Sequence, residues 1–205
     1  MSFDKQKAEV SKKNLKNADL QNLDLQEADL SEGILIEACL ENSNLSEADL
    51  CEADISGANL KNARLHRTVL YRCRGKEVNF SNAVLTQANL VEANLSKANF
   101  THANLMESNI EGANLINTCF KDANLCEVNL TGVFLVNANL SGADLTNAEC
   151  IAADFTGCDL SEANLSNTYI NHADLSGANL KSALNLTRDQ VETAFINKET
   201  LLPDS

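Results

Sequence analysis

Tryptophan is absent from the 205 residues, proline occurs once, at Pro203, and aromatic side chains make up 4%. With Gly at only eight positions and Ala, Asn and Leu recurring densely, an ordinary globular core cannot be assumed. Nowhere does an apolar run approach the ~18 residues that a membrane span needs, and the opening MSFDKQKAEV lacks the apolar segment of a secretory signal. The expectation is a cytoplasmic protein without a membrane partner. The seven cysteines are odd in number and none stands in a CxxC, which fits a reducing compartment and indicates neither a zinc site nor a disulfide framework. Basic residues are few, 16 Lys and Arg against 29 Asp and Glu, and the net charge of −13 argues against direct nucleic-acid binding. A basic protein surface, or plain solubility, suits that charge better.

What the chain does have is a beat. Every fifth residue from Leu15 to Leu180 is Leu, Ile or Phe, except Gly75 and Cys150. Two places earlier stands a small residue, mostly Ala, and one place earlier mostly Asn or Asp. In an extended chain the apolar residue and the Ala two before it face the same way. Five is odd, so the next apolar residue would point outward unless the chain turned a corner between beats. A helix is excluded as the main element, because a five-residue spacing walks round a 3.6-residue turn without forming a stripe. Repeated corners of one sense make a coil, and stacked coils bury Leu and Ala while their backbones pair ~4.8 Å apart. The fold class is an all-β solenoid.

The strings ANLVEANLSKANFTHANL and ADLSGANLKSA resemble the A(D/N)LXX signature of pentapeptide-repeat proteins, over about residues 13–183. The resemblance implies a right-handed quadrilateral β-helix with four pentapeptides per coil, hence about 8 to 9 coils and, at ~4.8 Å each, a rod of roughly 40 Å. Residues 1–12 are then an N-terminal cap, 13–183 the β-helix, and 184–205 a C-terminal helical cap and tail. Four pentapeptides per coil make residues twenty apart vertical neighbours, which should avoid like charge. Arg72 falls between Glu52 and Glu92, Arg67 beside Glu47, Arg74 beside Asp54, and Glu77 beside Lys97. A fifteen-residue coil would put Arg72 beside Gly57 and Gln87, so twenty pairs the charges better.

The stretch HRTVLYRCRGKEVNF breaks the rhythm: Gly75 takes the beat within a basic belt that runs from Lys61 to Lys76. One reading is a packing fault repaired by larger neighbours, with Cys73 and Val78 in place of Ala and Phe80 in place of Leu. The other is a local bulge that presents Tyr71, Arg72, Arg74 and Lys76 to a partner.

Both solenoid ends need covering. After Ala183 the beat stops. Thr187 with Gln190 forms a capping box, and Val191, Ala194 and Phe195 share a helical face, so a helix is expected from Arg188 to Asn197, with Leu201 and Leu202 completing the lid. At the start, Phe3, Lys7 and Val10 form one side of a short covering helix. In some members of the family the C-terminal region also makes a dimer, which makes that end a candidate contact here.

No constellation points to catalysis. His66, His102 and His172 are outward and scattered, with only Asp122 in ladder reach of His102, short of a metal set. The serines that start many pentapeptides have no His–acid arrangement beside them. Outward Asn and Asp are read as repeat positions that carry no information about chemistry. No cofactor or metal is expected, nor enzyme activity.

Apolar residues at outward positions are more telling. Ile34, Ile36, Ile116, Phe134 and Val136 fall on one side of the four-sided rod, together with Arg74 and Lys76. Cys51, Tyr71 and Val91 form a ladder on the adjoining side. The leading expectation is a protein-interaction scaffold. The alternative comes from the resemblance: some family members that protect bacteria from quinolones are acidic rods that mimic DNA and bind DNA gyrase or a topoisomerase. The basic belt interrupts such a negative surface.

Overall fold

The computed structural model describes residues 4–203. Parallel bridges join each residue before a beat to the one twenty positions on, from Asp19↔Cys39 to Asn164↔Leu184. The bridges fall into four ladders, starting at Asp19, Asp24, Asp29 and Ile34. They are called sides A, B, C and D. A coil is therefore twenty residues and has four sides, and each strand is cut to one bridging residue because the chain turns so soon.

The pentapeptide around Leu50 shows how every backbone N–H is used. Leu50 N–H donates to Val69 O (2.7 Å), Glu52 N–H to Tyr71 O (2.9 Å) and Asp54 N–H to Gly33 O (2.8 Å), tying the coil to both neighbours. Ala53 N–H closes the corner on Leu50 O at 3.0 Å. That leaves Cys51 N–H, which points away from both coils and donates to Asp49 Oδ1 at 2.8 Å. Every Asn or Asp before a beat from Asp19 to Asn179 makes this same bond to the residue two on. These residues are thus informative after all: each is an Asx turn that caps the corner. The second corner residue has positive φ, as in Glu52 (56°) and Ala152 (54°), the mark of a type II turn.

Inside, Leu and Ala fill the coil, and Phe80, Phe100 and Phe120 stack on side A with centroids 4.9 and 4.8 Å apart. The two interruptions of the beat behave differently. A Cβ on Gly75 would stand 2.7 Å from Leu95 Cδ2 and 3.2 Å from Ile55 Cγ1. The gap is filled by the beat residues of the coils on either side; the expected fillers, Cys73, Val78 and Phe80, are buried at their own stations. Cys150, by contrast, borders a small apolar void of about 10 Å³ shared with Phe155, Ile170 and Leu175.

At the N-terminal end, α1 (Lys5–Val10) is capped by Asp4, whose side chain accepts from Lys7 N–H at 2.9 Å. It buries Ala8, whereas Val10, expected on the packing face, is 83% exposed; Phe3 of that expected face lies outside the described residues. The helix is short enough that only one small side chain reaches the core. Polar groups stand in for the missing coil: Glu9 Oε1 accepts from Asp29 N–H (3.0 Å), Lys12 O from Ile34 N–H (2.7 Å), and Lys5 Nζ donates to Gln26 O (2.6 Å). Lys12 Nζ lies 2.7 Å from Asp29 Oδ1, and Lys13 Nζ 2.9 Å from Glu32 Oε2.

At the other end α2 (Arg188–Thr193) starts with Thr187 and Gln190 in a reciprocal capping box. It stops at Thr193, short of the expected Asn197, because Ala194 turns extended and the chain resumes the ladders. Phe195 bridges Asp174 and Leu201 bridges Asn179. Phe195 is consequently 59% exposed and not folded over the last coil, and Leu201 and Leu202 are exposed too. Leu186 and Ala194, partly buried, pack against the core.

Two outcomes follow from the core and one from the N-terminal cap. Gly75→Leu should lower stability by about 1–3 kcal/mol, through overpacking against Ile55 and Leu95, whereas Cys150→Val should raise it by about 0.5–1 kcal/mol by filling the void. Denaturant midpoints measure both. Hydrogen bonds from Lys12 and Ser31 hold the Asp29 carboxyl down at about 2. A depressed carboxylate stabilises the fold above its ordinary range and loses that contribution as pH falls through its folded value. Exchange protection of the Ile34 amide should therefore weaken between about pH 4 and 2, and Lys12→Ala should shift that loss to higher pH.

Candidate apolar side of the rod

Of the large apolar side chains exposed on the coils, Ile34, Phe134 and Phe195 share side D and Ile151 stands at its corner, while Val84 and Leu184 lie on side B and Tyr169 on side C. The central row of side D reads Ile34, Asp54, Arg74, Asn94, Asn114, Phe134, Asp154, Asp174, Phe195. Ile34 is 38% exposed and Phe134 52%, and neither can supply the Asx acceptor that their neighbours use. The adjoining corner row carries Ile36, Ile116 and Val136, all half-buried. Val136 stacks directly on Ile116, with Asn117 N–H donating to Val136 O at 3.0 Å. The structure thus gathers Ile34 with Ile36 near the N-terminal end, Ile116 four coils along, and Phe134 and Val136 five coils along. Arg74 and Lys76 lie between the two groups, and Tyr71 and Arg72 stand at the corner shared with side C.

Three members of this side escape a reading by beat alone. Ile151 (39% exposed) and Ala152 occupy the corner one coil beyond Thr131 and Gly132, flanking Phe134. Their signal was present, since both are apolar at outward positions. Phe195 was hidden because its neighbours read as helix, and only the resumed ladder places it in the row of Phe134.

The charges around the belt are paired vertically. Arg72 Nε lies 2.6 Å from Glu92 Oε2, Arg74 Nε 3.2 Å from Asp54 Oδ2, and Lys97 Nζ 3.6 Å from Glu77 Oε1. Arg72 also lies over the Tyr71 ring, 4.8 Å from its centroid. Burial alone would raise the Asp54 carboxyl, but hydrogen bonds from Ser56 and Arg74 outweigh it and hold the carboxyl below the usual range. Exposed pairs of this kind each contribute about 0–1 kcal/mol. Arg67 departs from expectation: it donates to Gln87 Oε1 (2.8 Å) and not to Glu47. Gln87 in turn donates to Glu107 Oε2 at 2.7 Å, which fixes its amide with the oxygen toward Arg67.

Acidic groups concentrate on side C. Glu27, Glu47, Glu107 and Glu127 line one edge, Glu32, Glu52 and Glu92 the other, with Asp29, Asp49 and Glu149 between them. A concavity of about 450 Å³ opens between α2 and this side and is lined by Asn147, Asn167, Tyr169, Asp189 and Gln190. The Gln190 amide in it already donates to the Leu165 and Thr168 carbonyls at 2.9 and 2.8 Å. Among the described residues no group of three or more His, Cys, Asp or Glu could hold a metal ion, and no helix is long and apolar enough to cross a membrane. Burial pushes the Cys73 and Cys158 thiols up to about 12 and that of Cys150 further, while burial and then Asp144 push Cys126 to about 11.

Known proteins confirm the repeat. The family described as pentapeptide repeats matches in 8 copies, over residues 7–35, 13–46, 35–67, 76–112, 108–147 and 148–184. The chain belongs to the pentapeptide-repeat family. It is similar to HetL of the cyanobacterium Nostoc sp. strain PCC 7120, a protein involved in heterocyst differentiation regulation, at 34% identity over 85% of this chain and 81% of that one, with a TM-score of 0.49. It also matches QnrB1, a plasmid-mediated fluoroquinolone resistance protein, at 17% identity over 91% and 89% of the two chains, with a TM-score of 0.57. Rfr23 of the cyanobacterium Cyanothece 51142 is 30% identical over 48% of this chain and 63% of that one, with a TM-score of 0.37. Among curated proteins no significant match is found.

Alkylation of the native protein at pH 8 should modify Cys39, Cys51 and Cys119 before Cys126, and leave Cys73, Cys150 and Cys158 unmodified until the coils unfold. Mass spectrometry of the digested protein would show the order.

Proposed function

We propose that this chain is a non-catalytic, cytoplasmic rod that works by holding a protein partner against side D. The observation that carries the reading is the gathering of Ile34, Phe134 and Phe195 in one central row, with Ile116, Val136 and Ile151 on its flanks. Such rows mostly hold Asn or Asp, which serve the corner; an apolar side chain there gives up that bond and exposes itself to water, and side D carries more large exposed ones in its central row than any other side. Grouped on one side, such residues suit a flat partner surface.

A second reading is favoured by the two carboxylate rows on side C, which suit a basic protein surface such as the DNA-binding region of gyrase or another topoisomerase. Arg67 and Arg72 interrupt both rows, and Lys12 and Lys13 neutralise Asp29 and Glu32 at the start. The likeness to QnrB1 speaks to the fold alone.

A photo-crosslinking residue placed at position 134, and as a control at Asn124 on side B, tests the first reading in cells that make the protein. A discrete adduct from position 134 and none from 124 is the expected result; equal labelling from both would overturn it. Titration into a gyrase supercoiling assay tests the second. Inhibition with saturable, salt-sensitive binding would move the functional surface to side C, and no effect at tens of micromolar protein would remove that reading.

A further inference from the structure

Side D has a pattern that fits itself when reversed. Two rods packed antiparallel, side D against side D, are related by a twofold axis lying across the face. Such an axis keeps each row opposite the same row and inverts the order of coils. With the axis between the coil of Arg74 and the coil of Asn94, the coil of Ile34 meets the coil of Phe134.

In that register Ile34 opposes Phe134 and Ile36 opposes Val136, so the two separated apolar groups become one contact at each end of the overlap. On the corner shared with side C, Arg72 opposes Glu92 of the other copy, and Tyr71 opposes Val91. On the opposite corner Glu77 opposes Lys97. Each of these ion pairs already exists within one rod, at 2.6 Å for Arg72–Glu92 and 3.6 Å for Glu77–Lys97. Two copies would close each pair into a ring of four charges of alternating sign.

The remaining charges meet neutral groups. Glu32 and Glu52 oppose Gly132 and Gly112, Asp54 opposes Asn114, Arg74 opposes Asn94, and Lys76 opposes Ser96. No like charges face each other anywhere in the overlap. Moving the axis half a coil toward the N-terminal end instead sets Arg74 on Arg74 and Lys76 on Lys76. Moving it half a coil the other way sets Asp154 on Ile34 and Asp54 on Phe134.

We propose that the partner held by side D is a second copy of this chain, docked antiparallel in the register that pairs Ile34 with Phe134. This rests on the reading of side D as a docking surface and names its occupant. The overlap spans six coils, roughly 29 Å at ~4.8 Å per coil, which places the contact at the small end of specific interfaces and its association in a reversible range. The Gly75 coil lies beside the axis, so the basic belt serves the dimer, and its opposite charges come from the partner rod as well as from its own.

Sedimentation velocity across a concentration series, with the parent chain, Phe134→Glu and Ile34→Glu, reads the association directly. The parent should move from monomer to twice the mass, and either substitution should abolish the shift with unchanged circular dichroism. Register is read by mixing Ile34→Cys and Val136→Cys or Phe134→Cys variants under mild oxidation. The Ile34→Cys and Phe134→Cys mixture should give a disulfide-linked pair above the parent background, and each variant alone, or Ile34→Cys with Val136→Cys, much less. A parent that stays monomeric at hundreds of micromolar overturns the proposal. So does a dimer that survives Phe134→Glu, which would locate association elsewhere, such as the C-terminal end. If position 134 still crosslinks a different protein while the rod stays monomeric, the docking role of side D stands and only its occupant is wrong; if neither occurs, both fall.

Discussion

A five-residue period is odd, and the corner that it forces leaves one N–H in each pentapeptide aimed away from both neighbouring coils. The rest of the structure depends on how that group is satisfied. At most corners the Asn or Asp before the beat supplies the acceptor from its own side chain, so the corner is closed locally and both neighbouring coils remain free to pair. With the corner settled, the remaining N–H groups fall into register with the coils on either side, and Leu and Ala have only the inside to occupy. The same requirement limits what the outside can do. A position that carries Ile34, Arg74 or Phe134 has exchanged a backbone partner for a side chain that reaches into solvent.

Period, coil length and core were legible because they follow from spacing and charge alone. Vertical pairs such as Arg74 with Asp54 and Lys97 with Glu77 could be named from twenty-residue separation, and the capping box at Thr187 from residue type. What was not legible depended on choices between equivalent neighbours. Arg67 stands between Glu47 and Gln87, and only the bond from Gln87 to Glu107 decides which it takes. Val10 and Phe195 were placed on helical faces by their spacing, but α1 is too short to bring Val10 down, and the chain leaves α2 before Phe195 to rejoin the ladders. Ladder completion outweighed helix propensity at that end, since an unpaired coil edge exposes several backbone groups at once.

The four sides do not share one character. Acidic groups run along side C and apolar ones along side D, so a single rod offers two chemically different planes at a right angle. The basic belt crosses both. It neutralises part of the acidic edge and sets Arg74 and Lys76 between the two apolar groups. Gly75, packed against Ile55 and Leu95, lets this coil differ in its surface without opening a hole in the core, whereas the void beside Cys150 shows what an unfilled break looks like.

Coil length also makes chain length a rotation. Removing or adding twenty residues shortens or lengthens the rod and leaves every later side facing as before. Removing or adding five turns everything downstream by a quarter, so that Phe134 would pass from side D to a neighbouring side with its own pentapeptide intact. Indels in such a chain act as an indexing dial: they alter which surfaces share a plane, while the packing of each segment stays the same.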